Sequence, residues 1–345
     1  MVTTFYDLYP DIVFELFSYF NIHEIFYSFC VLIPRLPRLL IDGYIRLHVR
    51  SNNAYFIRWI LPHIQLSQVF SLDLPKRPYN PSLFRFIGLR SLVLRDVDEP
   101  LKLLEKSQDW PPYYLEHLSF HIRNIDVYTK PSNVGTRVLE QVLQLTRLKS
   151  FELHESKSSF KMVELSDQLI LPSKFQSSNL QSLILTVYSN WKTLQSILSY
   201  TPHLRYLQFS SSIISSEKQT LFLPFSHLRQ LRFRLDGLRP ELLRNLISQT
   251  PVLRQLKLTS TVDPTTQCYL KFLQSETWTR LIDTYTPHLR ILDIDLEFYL
   301  DEFDDKAIRT INEDFQKFNF EFDINSDNRY QSWKLTGLFR RQKNI

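Results

Sequence analysis

The sequence predicts an α/β solenoid in which parallel strands alternate with helices. A six-residue phrase of the form L-x-x-L-x-L returns along the chain, most clearly at 204–209 (LRYLQF), 228–233 (LRQLRF), 253–258 (LRQLKL) and 289–294 (LRILDI). Helical patterns lie between the phrases, and a Thr-Pro pair introduces three of them. One such unit cannot bury its apolar face alone, so the units must stack on their neighbours into a curved array.

Each phrase predicts a strand, because its last leucines alternate with polar residues at the period of two that a half-buried strand requires. Weaker copies lie at 89–94, 115–120, 148–153 and 180–185, and 69–74 (VFSLDL) is a possible opening copy. The first leucines of successive phrases are 24 to 36 residues apart, which leaves room for a helix in the interval.

Four of the intervals have apolar residues at the spacing of an amphipathic helix. These helical segments are 138–143, 191–200, 238–247 and 269–273. Pro240 suits the first turn of the third helix. The Thr-Pro pairs that begin at Thr201, Thr250 and Thr286 should end the preceding helix, because proline disfavours helix in the residue before it.

The repeated unit resembles the leucine-rich repeat family in its long, helix-containing form. The resemblance covers roughly residues 60–300, although the family's usual asparagine or cysteine after the strand is missing. It implies a horseshoe with parallel strands on the concave face. Residues 319–324 (NFEFDI) alternate like a further strand, and the chain ends on a basic run at 340–343. We therefore predict a repeat array over residues 51–300 and a C-terminal cap with a basic tail over residues 301–345, since terminal repeats need a cap.

Residues 1–50 do not repeat and predict a separate module of three short helices. Pro10 and Asp11 suit the start of the first helix, and apolar residues from Ile12 to Phe20 form one stripe along it. Three short helices so rich in aromatic residues cannot close a core alone. Their apolar faces should therefore pack against another chain.

The N-terminal module resembles the F-box. Leu8, Asp11 and Ile12 correspond to the family's opening Leu-Pro-Asp-Glu-Ile, with the proline displaced to Pro10, and residues 15–20 (ELFSYF) correspond to its Glu-Ile-Phe-Ser-Tyr-Leu. The resemblance implies docking onto a Skp-type adaptor, which bridges to a cullin scaffold and a RING ubiquitin ligase, while the repeats select a protein substrate. Carried over by position, the adaptor contacts are Leu8, Pro10, Ile12, Leu16, Phe17 and Ile25. The alternative is that these side chains are only the core of the module.

The residues that alternate with the leucines should line the concave face of the array. We predict substrate contacts there from Tyr206, Gln208, Gln230, Arg232, Arg234, Gln255, Lys257, Asp293 and Asp295. Two interpretations remain open for the charged members. Opposite charges on neighbouring strands could pair and leave a merely solvated surface. Alternatively, Arg232 and Arg234 bind an acidic or phosphorylated segment of the substrate.

Composition and motifs argue against catalysis and cofactor binding. With 5 glycines in 345 residues, the chain has neither a G-x-G-x-x-G nor a G-K-[ST] phosphate loop. Cys30 and Cys268 fit buried free thiols and belong to no zinc-type pair. Three histidines, His117, His121 and His154, would lie on neighbouring strands as a conceivable metal site, and Asp293 with Asp295 could mimic an acid–base pair. Both signals are weak, so we predict a receptor without catalytic groups, metal or cofactor.

Charge and hydropathy bear on partners and location. The net charge is +5, but the basic residues look spread rather than striped and no nucleic-acid-binding module is recognisable, which argues against nucleic acid. The most apolar stretch, 12–33, is interrupted by charged and polar residues, so no membrane segment is predicted. We predict a cytoplasmic or nuclear ubiquitin-ligase receptor. The alternative function is an interaction scaffold with a degenerate F-box and no link to a ligase.

Overall fold

The computed structural model describes residues 12, 15–16, 19–20, 24–25, 47–50, 66–74, 86–97, 114–122, 134–155, 165, 178–189, 191–212, 225–262, 269–299, 305–316, 320–327 and 332–340. The predicted α/β class is confirmed, because helices alternate with strands that pair mostly in parallel. The chain divides into two compact units, residues 1–134 with 145–161 and residues 135–144 with 162–345. This division falls inside the segment predicted as one repeat array, 51–300.

The first unit holds a parallel sheet whose strands lie in sequence order. They are β1 (Leu47–Arg50), β2 (Val69–Leu74), β3 (Ser91–Val97), β4 (His117–Ile122) and β5 (Ser150–Glu155). The possible opening copy of the phrase coincides with β2. No phrase predicted β1, which is a short strand at the start of the sheet.

The second unit alternates helices with parallel strands and ends in an antiparallel pair. In chain order it contains α1 (Val134–Leu143), β6 (Ser182–Ser189), α2 (Trp191–Tyr200), β7 (Tyr206–Ser212), β8 (Gln230–Leu238), α3 (Pro240–Ser248), β9 (Gln255–Val262), α4 (Tyr269–Phe272), α5 (Ser275–Tyr285), β10 (Ile291–Tyr299), α6 (Asp305–Gln316), β11 (Phe320–Asp327) and β12 (Ser332–Arg340). Strands β6 to β10 are parallel neighbours. Strand β12 pairs antiparallel with β10 on one side and with β11 on the other.

The apolar positions of the phrase form the core, as predicted. In β7 and the turn before it, Leu204, Leu207 and Phe209 are buried, and the same three positions are buried in the other copies. Where neighbouring copies both end in phenylalanine, the rings meet edge to face, as in Phe209 and Phe233 with centroids 6.2 Å apart. Such pairs add about 0.5–1.5 kcal/mol beyond burial of their area, so the array is stabilised strand by strand.

The Thr-Pro pairs end helices as predicted, and the threonine also closes the helix chemically. Thr250 is fully buried; its Oγ1 donates to the carbonyl oxygen of Ile247 at 3.0 Å, and its backbone N–H donates to the same oxygen at 3.0 Å. Thr286 repeats the arrangement toward Ile282, whereas the hydroxyl of Thr201 donates to the carbonyl oxygen of Ile197 and its backbone N–H to that of Leu198. Each threonine therefore satisfies carbonyl groups that a helix end leaves without partners.

Residues 305–340 add a helix and two antiparallel strands, of which the sequence predicted only β11. Phe315 of α6 and Leu335 of β12 are buried in this segment. Arg340, expected at the start of a basic tail, is the last residue of β12. The rest of that tail, 341–343, lies outside the described residues.

The described part of the N-terminal module is small. Residues 12, 15–16 and 24–25 are helical, as expected for the first two helices. Leu8, Pro10, Phe17, the third helix of the predicted module and both cysteines lie outside the described residues. Among the residues that are described, no helix is long and apolar enough to cross a lipid bilayer.

Candidate binding face

The predicted contact residues occupy matching positions on β7, β8, β9 and β10. One row across these strands joins Tyr206, Gln230, Gln255 and Ile291. The next joins Gln208, Arg232, Lys257 and Asp293, and a third joins Ser210, Arg234, Thr259 and Asp295. Because directly paired residues of neighbouring strands point to the same side, all nine predicted residues share one face. We call this surface the polar face.

Two lysines neutralise the two aspartates of the polar face. Lys257 Nζ lies 2.6 Å from Asp293 Oδ2, as the charge-pairing interpretation expected. Asp295 Oδ1 is paired differently: its partner at 3.0 Å is Lys334 Nζ of β12, a strand that the sequence did not predict. Both pairs are partly exposed, so each contributes at most about 1 kcal/mol to stability.

The two arginines of the polar face have no acidic partner among the residues that the structure describes. The guanidinium of Arg232 lies over the ring of Tyr206 at 5.7 Å from its centroid. Arg234 is exposed and makes no side-chain hydrogen bond or ion pair within the described chain. The charge-pairing interpretation is therefore right for Lys257 and wrong for these arginines, whose donors remain available for a ligand.

Uncharged polar groups border these arginines. The Tyr206 hydroxyl donates to Gln208 Oε1 at 3.0 Å. The half-buried side chains of Gln230 and Gln255 are neighbours on β8 and β9 and form no hydrogen bond within the described residues. A primary amide can donate to a peptide carbonyl and accept from a peptide N–H, so this pair can bind the backbone of an extended chain.

On the corresponding face of the first unit, several charged and polar groups pair with one another. Arg95 forms two hydrogen bonds with the carboxylate of Asp73, at 2.8 and 2.9 Å. Glu152 Oε2 lies 3.1 Å from His154 Nε2 and accepts a hydrogen bond from Ser119 at 3.1 Å. These contacts use the charged groups of Arg95, Asp73 and Glu152 on that face.

The three histidines of the first unit do not converge as a metal site. His121 and His154 stack with ring centroids 4.5 Å apart, whereas His117 is exposed four residues earlier on β4. Across the described residues, no group of three His, Cys, Asp or Glu side chains has the geometry to hold a metal ion. The hydrogen bond from His154 lowers the pKa of Glu152, and burial lowers the pKa of His121. This arrangement favours the carboxylate form of Glu152 and the neutral form of His121.

The predicted adaptor contacts that the structure describes fall into two groups. Ile12 and Leu16, one helical turn apart, are 45% and 38% exposed. Tyr19 and Phe20 are also exposed apolar residues close by in the sequence. Ile25 is only 1% exposed, so it presents no surface to a partner.

A row of arginines that the sequence reading missed lies immediately before the strands that carry the polar face. Arg205, Arg229, Arg254 and Arg290 follow the first leucine of four successive phrases, and all four are exposed. Each of the last three donates its backbone N–H to the carbonyl oxygen of the preceding arginine at 2.8 Å. We call this set the arginine row. It corrects the expectation that basic residues are spread, and the recurring Leu-Arg pair was the signal that could have revealed it.

Comparison with known proteins adds no identification. No protein-family model matches the chain, and no curated protein matches it either.

Proposed function

We propose that this protein is the substrate-recognition subunit of a Skp–cullin–F-box type ubiquitin ligase. In this proposal the N-terminal module is an F-box that docks a Skp-type adaptor, and the strand–helix units are leucine-rich repeats of a curved solenoid that holds a protein substrate. The protein itself supplies no catalytic group. It acts in the cytoplasm or nucleus by keeping the substrate near a ligase whose chemistry lies on other chains, which raises the effective concentration of the reacting groups.

The adaptor half of the proposal, in which the N-terminal module docks a Skp-type adaptor, rests on the exposure of apolar side chains at helical positions. Ile12 and Leu16 lie one turn apart in the chain, so they project from the same side of a helix. Large apolar groups that are exposed next to each other mark a surface for a partner. Burying each of them against an adaptor would contribute about 1.5–3 kcal/mol. Ile25, which is buried, supports the module from inside in this proposal.

The polar face supports the substrate half. Its central strands present two arginines without acidic partners and two glutamines without hydrogen bonds within the described residues. Groups able to bind a protein segment therefore lie on consecutive strands, while in the first unit Arg95 pairs with Asp73 and His154 with Glu152. A substrate receptor needs such an unsatisfied surface, because hydrogen bonds already made within the chain contribute nothing to selecting a ligand.

The test is co-purification of the full chain with a Skp-type adaptor, beside the double variant Ile12→Ser/Leu16→Ser. The matched control is Ile87→Ser, because Ile87 is an apolar residue that is 63% exposed elsewhere in the chain. We expect a stoichiometric complex with the wild type and the control and none with the double variant. Folding of every protein is checked by circular dichroism.

A folded wild-type chain that forms no complex with the adaptor would contradict the ligase proposal. The protein would then be an interaction scaffold, which keeps the substrate half of the proposal and discards the adaptor half. A complex that survives in the double variant would contradict the assignment of Ile12 and Leu16 as contacts.

A further inference from the structure

The arginine row differs from the same row of positions in the first unit. There the residue after the first leucine is Arg90, Glu116 and Lys149 on successive strands, and the three side chains form ion pairs of 3.3 and 2.9 Å through Glu116. The hydrogen bond from Lys149 also lowers the pKa of Glu116. The first unit thus alternates the sign of charge along the row, whereas in the second unit the uncharged Gln181 is followed by four arginines.

Folding alone gives no reason for this repetition. Like charges at directly neighbouring positions of a sheet are unfavourable. None of the four guanidinium groups of the arginine row has a hydrogen bond or ion pair with another side chain in the described structure. An anionic ligand would turn this unfavourable arrangement into a favourable one.

We propose that the arginine row binds an acidic segment of a protein ligand, extended across the starts of strands β7 to β10. Neighbouring strands lie about 4.8 Å apart, so four arginines span about 14 Å, the length of four or five residues of extended chain. A guanidinium matches a carboxylate or a phosphate with two parallel hydrogen bonds. The anionic groups are therefore carboxylates or phosphorylated side chains in a short run.

The residues next to the row favour a peptide over a nucleic acid. Gln230 and Gln255 follow Arg229 and Arg254 directly, and their free amide groups can bind peptide backbone. Single-stranded nucleic acid needs aromatic side chains on which successive bases stack. The row beside the arginines offers one aromatic side chain, Tyr206, and Arg232 already lies over its ring.

Charge at the other end of the strands sets the direction of the ligand. Beyond Arg234 and Asp295, the next positions on the same face are Asp236 on β8 and Glu297 on β10. An acidic ligand that ran along the strands would meet these carboxylates. A ligand that lies across the strand starts meets the arginine row and avoids these carboxylates, so the acidic segment crosses the strands.

This inference rests on the substrate half of the proposed function and is independent of adaptor docking. It names the class of segment that the receptor recognises. Binding to the arginine row is measured with a peptide and the isolated full chain, so it can succeed or fail whether or not an adaptor complex forms.

The experiment measures the binding of a fluorescent peptide with a run of about five glutamates, which matches the length of the row. The comparison peptides carry glutamine, serine or phosphoserine in place of the glutamates. The variant is Arg229→Ser/Arg254→Ser, and the matched control is Arg244→Ser/Arg280→Ser, which removes the same charge from exposed positions on α3 and α5. All four arginines are exposed, so folding should be preserved, and thermal unfolding checks it.

We expect at least tenfold weaker binding of the glutamate or phosphoserine peptide by the row variant, wild-type binding by the control, and no binding of the glutamine or serine peptide. Tighter binding of the phosphoserine peptide than of the glutamate peptide would identify phosphorylated side chains as the source of charge. The adaptor complex should form equally with the row variant.

Equal affinity of the wild type and the row variant for the acidic peptide would overturn the inference, as would equal binding of the glutamine peptide. Single-stranded RNA that binds more tightly than the peptide, and through the same two arginines, would assign the row to nucleic acid instead. Loss of acidic-peptide binding by the row variant, together with an intact adaptor complex, would support the inference and leave the ligase proposal standing.

Discussion

Replacing Thr250 with valine tests whether the Thr-Pro pair stabilises a helix end through its hydroxyl. The change keeps the shape of the side chain and removes one hydrogen bond, from Thr250 Oγ1 to the carbonyl oxygen of Ile247 at 3.0 Å. A buried hydrogen bond of this kind contributes about 1 kcal/mol net. The loss should not be larger, because the Ile247 carbonyl still accepts the backbone N–H of residue 250.

The expected result follows from that contribution. About 1 kcal/mol lowers the midpoint of thermal unfolding by about 2–4 °C for a unit of this size. The same change at Thr286 should cost less, because its hydroxyl lies 3.4 Å from the Ile282 carbonyl oxygen, near the limit for a hydrogen bond. Circular dichroism during heating, with the wild type and both variants in the same buffer, measures the two shifts.

Two results would refute this reasoning. Thr250→Val with wild-type stability would mean that proline alone ends the helix and that the threonine hydroxyl is incidental. A larger loss for Thr286→Val than for Thr250→Val would mean that hydrogen-bond length does not determine the size of the effect. In the first case the threonine would be only a small residue that fits the turn.

Three further predictions concern other parts of the chain. Burial lowers the pKa of His121, so this residue binds a proton more readily in the unfolded chain than in the folded one. Stability should therefore fall as the pH drops below about 6.5. His121→Gln should reduce that fall, as measured by denaturant titrations at successive pH values. Gly88→Ala would place a Cβ atom against the backbone oxygen of Ser67. The free energy of unfolding, measured by urea titration, should therefore decrease by about 1–3 kcal/mol. Unchanged stability would contradict the close packing at this turn. Asp293→Asn breaks the partly exposed ion pair with Lys257, so stability in the same assay should change by less than about 1 kcal/mol. A larger loss would mean that the two charges interact more strongly than their exposure indicates.

The repeating strands could be predicted from the sequence because their information is local. In each phrase the alternation of leucine with polar residues is enough to define a strand and its buried side, as for residues 204–209 and β7. Helix α2 matches its predicted bounds, 191–200, for the same reason, since three to four apolar residues in ten define one face. The shared face of the nine contact residues followed from stacking identical units in register.

The elements that the sequence did not predict depend on distant partners. Helix α5 has no side-chain cap of its own at Gln274; instead the carboxylate of Asp314, on α6, accepts hydrogen bonds from the backbone N–H and the hydroxyl of Ser275. Strand β12 is not a copy of the phrase, and it forms because β10 and β11 both pair with it. No pattern within either segment records those contacts.

The sequence by itself determined the class of fold, the buried side of each repeated strand and the residues that share the polar face, because strand alternation and repetition are local and periodic. Only the tertiary structure decided which charges of that face are free. Lys257 pairs with Asp293 and Lys334 with Asp295, while Arg232 and Arg234 have no acidic partner in the described chain. Whether a charge is satisfied depends on which side chains reach it across neighbouring strands, and that distance exists only once the strands are paired.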